Sequence, residues 1–473
     1  MIFRKLRETN KALIIFIAIT FVAAGAFVGI TSFLGGKSGQ NVSLGGTGMY
    51  ADSTLLTVNG EKVLAREFFL VLENYYNYLH LLPTKEVMDL QNSIIFSLIE
   101  RSVMGQEANR RGIKAKVTEE EILEVINEYL EDSNISLAEL EKQLAAVGDS
   151  LKNAKSRVKE GLTERNLLLA LEDSIKNEVN ITAEDVINEY EKVKVSEIFI
   201  EHPENDDYDA YELASAAWQK VKQGLDIESI VNSNPSIIVS QDLGFFNRNS
   251  DYNPAIVKYA FNMEIGETSE IIATEDGYHI LVVEDRIYAQ GDEFEEAKKS
   301  VEEDLLALKQ YQHFRNTIDD MAYGATVEIH NPALAGYYWY RKGNFQEAVK
   351  QLASVTKEIS DNSVLIDILA NAYFLTGNGD KAFKTFEDAI KAHSNDWELR
   401  LAYADFSGKL GDYDTAEEQL QIILEAESDN YDMMENLLPY INRLGSQKQI
   451  NQIEEIIQLL EEELEAENLT SEE

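Results

Sequence analysis

The chain has 473 residues, which at roughly 150 residues per domain leaves room for about three globular units. It carries 84 acidic against 42 basic side chains, a formal charge of −42 that repels phosphate backbones and excludes nucleic acid as a natural partner. Cysteine is absent, which rules out disulfides, thiolate metal sites and a cysteine nucleophile. From Ala12 to Leu34 there are 23 residues without a charge, and as a helix they would extend about 34 Å, enough for a bilayer core. Arg4, Lys5, Arg7 and Lys11 precede the run and only Lys37 follows closely. The positive-inside rule then predicts a cytoplasmic tail at 1–11, a single-pass anchor at 12–34 in the cell membrane, and an extracytoplasmic remainder. A cleaved signal peptide is the competing reading. Residues 35–53, with paired glycines and serines, read as a flexible tether.

Residues 54–192 open on a hairpin. Thr54 to Val63 alternates apolar and polar residues about Asn59-Gly60, a dipeptide that tolerates positive φ at both positions. Helices are predicted over Glu67–Leu81, Val87–Arg111, Thr118–Glu131, Ser136–Val147 and a long stretch to Lys176, with capping boxes at Thr118/Glu121 and Ser136/Glu139. Phe68, Phe69, Tyr75, Tyr76 and Tyr78 either line a groove for extended apolar peptides or fill the core. Residues 193–287 change to α+β: a strand at Val193–Ile200, a helix at Tyr211–Lys222 and a closing strand at Tyr278–Val283. Residues 288–332 hold a charged helix, Glu293–Asp320, whose stripe of Leu305, Leu306, Leu308 and Phe314 is expected to return onto the N-terminal part.

From 333 to 473 the period is explicit. Gly343, Gly377, Gly411 and Gly445 recur every 34 residues, with Ala348, Ala382 and Ala416 five positions after the first three and Gly336, Ala370 and Ala404 seven before. That is the tetratricopeptide (TPR) period, which predicts a helical solenoid closed by an acidic capping helix. Tyr373, Arg400 and Tyr403 are the candidate partner-binding residues of its surface, biased by the general acidity towards basic or amphipathic segments.

Four motifs in order carry a resemblance: Asp242-Leu-Gly-Phe-Phe, Asn253-Pro-Ala-Ile-Val-Lys-Tyr-Ala-Phe, Gly266-Glu-Thr-Ser, and Thr274-Glu-Asp-Gly-Tyr-His-Ile-Leu-Val-Val. Together they resemble the parvulin-type (PpiC, rotamase) peptidyl-prolyl isomerase domain. The N-terminal part, with Val58-Asn-Gly, Leu98-Ile99, Glu107-Ala108, Gly112-Ile113 and Val117-Thr-Glu-Glu, resembles the chaperone segment of SurA, PpiD and PrsA proteins. The resemblance covers about Thr54 to Pro332. It implies a multidomain α+β chain: a mostly helical SurA-like domain completed by the returning helix, a parvulin-like domain, and the separate repeats. It also implies a protein-folding factor that receives unfolded or newly secreted polypeptides.

Parvulins work without a cofactor, through two facing histidines, a neighbouring cysteine or aspartate, a hydroxyl, and a methionine and phenylalanine forming the proline pocket. Carried over by position, His279 is the second histidine and Thr274 the hydroxyl, with Phe246 and Phe261 as aromatic walls. Glu197 replaces the first histidine, Asn234 stands at the cysteine or aspartate position, Ser240-Gln241 replace a Gly-Gly pair, and Tyr252 and Ile256 stand near the pocket methionine and phenylalanine. With Glu197 opposite it, His279 can be satisfied by a carboxylate–imidazole bond. The other histidines show no metal-ligand spacing. Three functions follow: an anchored chaperone with a degenerate isomerase domain, an active prolyl isomerase, or an assembly module docking to a translocon or envelope component through the repeats.

Overall fold

The computed structural model describes residues 53–73, 75, 79, 82–146, 148–203, 208–225, 227–232 and 238–471. The expected span at Ala12–Leu34, the tether as far as residue 52, Tyr76, Tyr78 and Asn234 lie outside these residues. Among the described residues no helix is long and apolar enough to cross a membrane. The chain divides into two compact units, one running to Leu171 and resuming at Ile318, the other spanning Glu172–Thr317.

In the first unit Asn59 and Gly60 take φ of 53° and 83°, turning strand β1 (Thr54–Val58) into β2 (Glu61–Leu64). The hairpin is not alone. A third strand, Val327–Ile329, pairs antiparallel with β1 on its other side, with Leu56 opposite Ile329 and Val58 opposite Val327. Asn59 reads this returning segment directly: its N–H donates to Thr326 O at 2.8 Å, and its Oδ1 accepts from Thr326 N at 2.9 Å. Helices α1 (Ala65–Glu73) and α2 (Thr84–Arg110) cover the sheet, and Leu56, Val58, Ile95, Leu98 and Ile99 form the core with Ala322, Val327 and Ile329.

The returning helix runs Gly291–Gly324, longer than expected, and only its last turns enter this core. The stripe expected to dock there is placed otherwise. Leu305 and Phe314 are buried, Leu306 is half-buried and Leu308 is exposed, and all four belong to the second unit, where Lys176 Nζ sits 5.9 Å from the Phe314 ring centre. The return is therefore completed by Ala322 and the short strand, not by the middle of the helix.

Helices Glu119–Asp132, Leu137–Ala146 and Leu151–Lys176 bury Ile122, Ile126, Leu140, Leu144 and Val158 among themselves. Thr118 and Glu121 make both bonds of the capping box, and Ser136 Oγ accepts from Glu139 N at 3.2 Å.

Beyond Asn331 the helices follow in consecutive pairs: Pro332–Arg341 with Phe345–Ala353, Ser363–Leu375 with Gly379–Ala392, Trp397–Lys409 with Tyr413–Ala426, and Tyr431–Leu444 with Gln447–Ser471. Gly343, Gly377 and Gly411 turn each of the first three pairs at φ of 75°, 80° and 81°; Gly445, in the degraded fourth, sits at −84°. Small residues set the helix spacing: a Cβ on Gly336 would stand 2.2 Å from Leu352 Cγ. Pro332–Arg341 serves two cores at once. Ala335 and Tyr338 pack with the hairpin core, while Tyr337 joins Leu352, Leu369 and Phe386 in the repeat core, where Met88 of α2 is also buried.

The second unit is built on a four-stranded antiparallel sheet in the order β4-β3-β6-β5, with β3 at Lys192–Glu201, β4 at Ile238–Phe246, β5 at Ile272–Ala273 and β6 at Gly277–Ile287. Strand alternation divides its side chains between two faces. Ile198, Ile200 and Ile280 pack under helix Ala210–Lys222, and Val193, Val195, Leu281 and Val283 pack on the other face under helix Pro254–Asn262.

Candidate functional site

The second of these faces carries the candidate site. Along β3 the row Val193, Val195, Glu197, Phe199 shares one face, and along β6 the row Val283, Leu281, His279 does. Register places Phe199 opposite His279 and Glu197 opposite Leu281, so Glu197 and His279 are diagonal neighbours, close enough for long side chains to meet. On the other flank of β3, Gln241 of β4 stands directly opposite Glu197.

The result is a continuous chain of polar groups, buried at its centre and open at its Gln241 end. His279 Nδ1 is 2.7 Å from Glu197 Oε1, and Glu197 and His279 are only 2% and 7% exposed. Gln241 Nε2 donates to the second carboxylate oxygen, Glu197 Oε2. A carboxylate only accepts, so Nδ1 donates in this contact; on the far side of the ring Nε2 lies 2.8 Å from the Thr274 hydroxyl, which also donates to Gly277 O at 3.3 Å. Phe199 stacks on the imidazole with ring centres 4.8 Å apart. Gly277 leaves room for the Phe199 ring, since a Cβ there would stand 2.8 Å from Phe199 Cε2. Thr274, Glu197 and His279 are thus brought together.

The expected pocket residues separate into wall and floor. Phe246, Ile256 and Phe261 are buried core residues beside Val193 and Leu281, with Phe246 and Phe261 edge-to-face at 6.1 Å. Tyr252 is partly exposed, packs on Phe246 at 4.8 Å and donates from its hydroxyl to Leu243 O at 3.1 Å. Arg248 lies over the Phe261 ring at 4.2 Å. Gln241, which holds Glu197, reads in the sequence only as a departure from Gly-Gly; its direct pairing with Glu197 follows from the register of β4.

The partner residues expected on the repeats need correction. Arg400 and Tyr403 are buried: Arg400 donates to Gln419 Oε1 at 2.7 Å and Ser394 O at 3.0 Å, and Tyr403 stacks on Phe386 at 4.9 Å. Tyr373 is half-buried against the repeat core, with Lys381 Nζ 5.5 Å from its ring. These side chains hold helices together and leave little to offer a partner.

A concavity of about 500 Å³ opens instead beside Tyr337, Asp367, Asp405, Lys409 and Arg443, with Lys85 contributed by α2. Asp405 accepts from Arg443 at 2.6 Å and pairs with Lys409 at 2.5 Å, and Tyr337 donates to Asp89 of α2 at 2.7 Å. Asp367 accepts from Asn371 at 2.9 Å; burial, the largest influence on its carboxyl, pushes it up to about 6. Repeat arithmetic held the missed signal. Tyr337, Asn371 and Asp405 are 34 residues apart, one place after Gly336, Ala370 and Ala404, and Arg341, Lys409 and Arg443 share the place five after those small residues or their fourth-copy equivalent.

Residues 181–299 match the PPIC-type PPIase domain family, and residues 2–168 match the SurA-like N-terminal domain family. The chain joins a SurA-like N-terminal domain to a PPIC-type domain. It is similar to the foldase protein PrsA of Clostridium perfringens, 23% identical over 345 residues that cover 67% of this chain and 97% of that protein. The PrsA of Halalkalibacterium halodurans is 26% identical over 264 residues, 53% of this chain and 69% of that one. Among solved structures, PrsA from Bacillus anthracis aligns with a TM-score of 0.27 at 18% identity, over 48% of this chain and 95% of that one.

Proposed function

We propose that this protein is a membrane-anchored, extracytoplasmic folding factor that holds unfolded polypeptides and catalyses prolyl isomerisation weakly or not at all. The observation that carries the reading is the closed chain Gln241–Glu197–His279–Thr274. Isomerisation must cross a barrier of about 18–20 kcal/mol set by amide resonance, so a catalyst needs polar groups aimed at the twisted amide. Here the imidazole N–H and the threonine O–H are already donated inside the protein, and a carboxylate stands where the resemblance places an imidazole. Such a site stabilises the sheet and has little left to offer a prolyl bond. The SurA-like resemblance and the PrsA relatives favour a role with polypeptide clients.

Anchoring rests on the apolar run at Ala12–Leu34 and the basic residues before it. The 34-residue period and the paired helices support a TPR-type array, whose concavity beside Asp405 and Arg443 is the surface available to a translocon or envelope component. The test is aggregation of a chemically unfolded, proline-free client mixed with the full chain at equal molar ratio. Suppression is expected; aggregation at the rate of the client alone overturns the reading. Protease treatment of spheroplasts should digest everything beyond Lys37, and a mature N-terminus near Gly35 overturns the anchor.

A further inference from the structure

The sheet of the PPIC-type unit ends on two very different edges. β5 is two residues long, whereas β4 runs nine, Ile238–Phe246, and among the described residues no strand pairs with its outer side. An open edge of that length presents alternate N–H and C=O groups to whatever extended chain arrives, and proteins guard such edges with lysine, proline or bulges. β4 has neither lysine nor proline, and its one charge, Asp242, is engaged within the fold, accepting from Gly244 N at 2.8 Å and lying 3.5 Å from Lys194 Nζ. The bulge that is present falls at Leu243-Gly244, where Gly244 takes φ of 65°, and leaves Ile238–Asp242 in regular register with β3.

Apart from the buried Ile238, side chains on this stretch are open as well. Val239 is 50% exposed, and Ser240, Gln241 and Asp242 are exposed beside it. Val239 lies opposite Phe199 and Gln241 opposite Glu197, so both belong to the face that carries His279. We propose that the outer edge of β4, over Ile238–Asp242, binds an extended segment of an unfolded polypeptide as an added antiparallel or parallel strand. About five residues, or roughly 17 Å, can pair. The segment recognised is free of proline at its paired positions, alternates apolar residues so that one lies beside Val239, and is neutral or basic. A second copy of the chain brings the same net charge of −42 and is disfavoured by repulsion. The inference rests on the client-holding reading and names where the client pairs. It also explains how clients are engaged while the His279 site stays closed.

The test uses the full chain and a synthetic Val/Thr-alternating peptide flanked by lysines and N-methylated at every second residue, so that it can pair along one edge only. Val239→Pro and Ser240→Pro complete it, because adjacent strand residues point their N–H groups to opposite sides. One of the two variants faces β3 and loses stability. The other faces out, keeps the wild-type unfolding transition, and is expected to bind the peptide about tenfold more weakly, as loss of a main-chain donor and its neighbouring pairing requires. Wild-type affinity in the folded proline variant, or peptide binding that survives N-methylation at every residue, overturns the proposal. So does peptide-independent dimerisation that the same variant abolishes, since the edge then belongs to a second copy. If the folded variant binds peptide normally and still suppresses client aggregation, the edge assignment alone fails; if the wild-type chain suppresses no aggregation, the client-holding reading fails with it.

Discussion

Glu197→Ala takes the acceptor from the middle of the buried polar chain. His279 Nδ1–H, on a side chain only 7% exposed, loses its partner, while the amide of the exposed Gln241 turns to water. A stranded buried donor costs about 1–3 kcal/mol, so the variant should lose about 1–3 kcal/mol. Removing the whole network behaves differently. Glu197→Leu with His279→Leu and Gln241→Leu extends the apolar rows of Val195 and Leu281, leaves Thr274 donating to Gly277 O, and should recover most of that loss. Native-state hydrogen exchange on the amides of β3 and β6 in the full chain reads both values as opening free energies. The reasoning is refuted if Glu197→Ala changes them by less than about 0.5 kcal/mol, the ordinary scatter of surface substitutions.

Met88→Ala, made in the SurA-like part, should weaken the repeats: the side chain is buried in the repeat core, and its truncation should cost about 2–4 kcal/mol. Hydrogen exchange in Ser363–Leu375 and Trp397–Lys409 checks this, and unchanged protection there would show that the two regions do not share a core. Asp367 gives a pH signature. Its carboxyl is raised to about 6 in the fold against about 3.9 when unfolded, so the folded state holds the extra proton and stability falls as pH rises from 4 to 6 (both about). Asp367→Asn should therefore stabilise the chain at pH 7 by about 1–2 kcal/mol and by much less at pH 4; urea unfolding at the two pH values checks it, and an equal effect at both contradicts the assignment.

Some of this architecture is legible in local sequence and some is not. Asn59-Gly60 specifies its turn because both residues must accept positive φ, and Thr118 with Glu121 specifies a helix start because each side chain reaches the other's backbone. The strand at Val327–Ile329 carries only three residues, too few for alternation to declare itself, and it forms because β1 offers an unpaired side. The bond between Glu197 and His279 joins residues 82 apart in sequence. Parity along each strand puts them on one face, but only the register of β3 against β6 makes them neighbours. Arg400 and Tyr403 mislead for the opposite reason: a charged and an aromatic side chain look like a surface, yet Gln419 and Phe386 from neighbouring helices enclose them. Part of the groove needed the repeat register rather than residue type: Tyr337 and Asp405 stand one place, and Arg341 and Lys409 five places, after Gly336 and Ala404.

The proposed role is that of a chain holding polypeptides while its isomerase-like site is closed by its own hydrogen bonds. A protease-coupled isomerisation assay of the full chain, over a panel of Xaa-Pro peptides and alongside His279→Ala, tests that claim most directly. The account predicts rates close to the uncatalysed reaction for every peptide, the same for the variant, and a rise when Glu197→His and Asn234→Asp are introduced together. Strong isomerisation by the unmodified chain, abolished by His279→Ala, would contradict it.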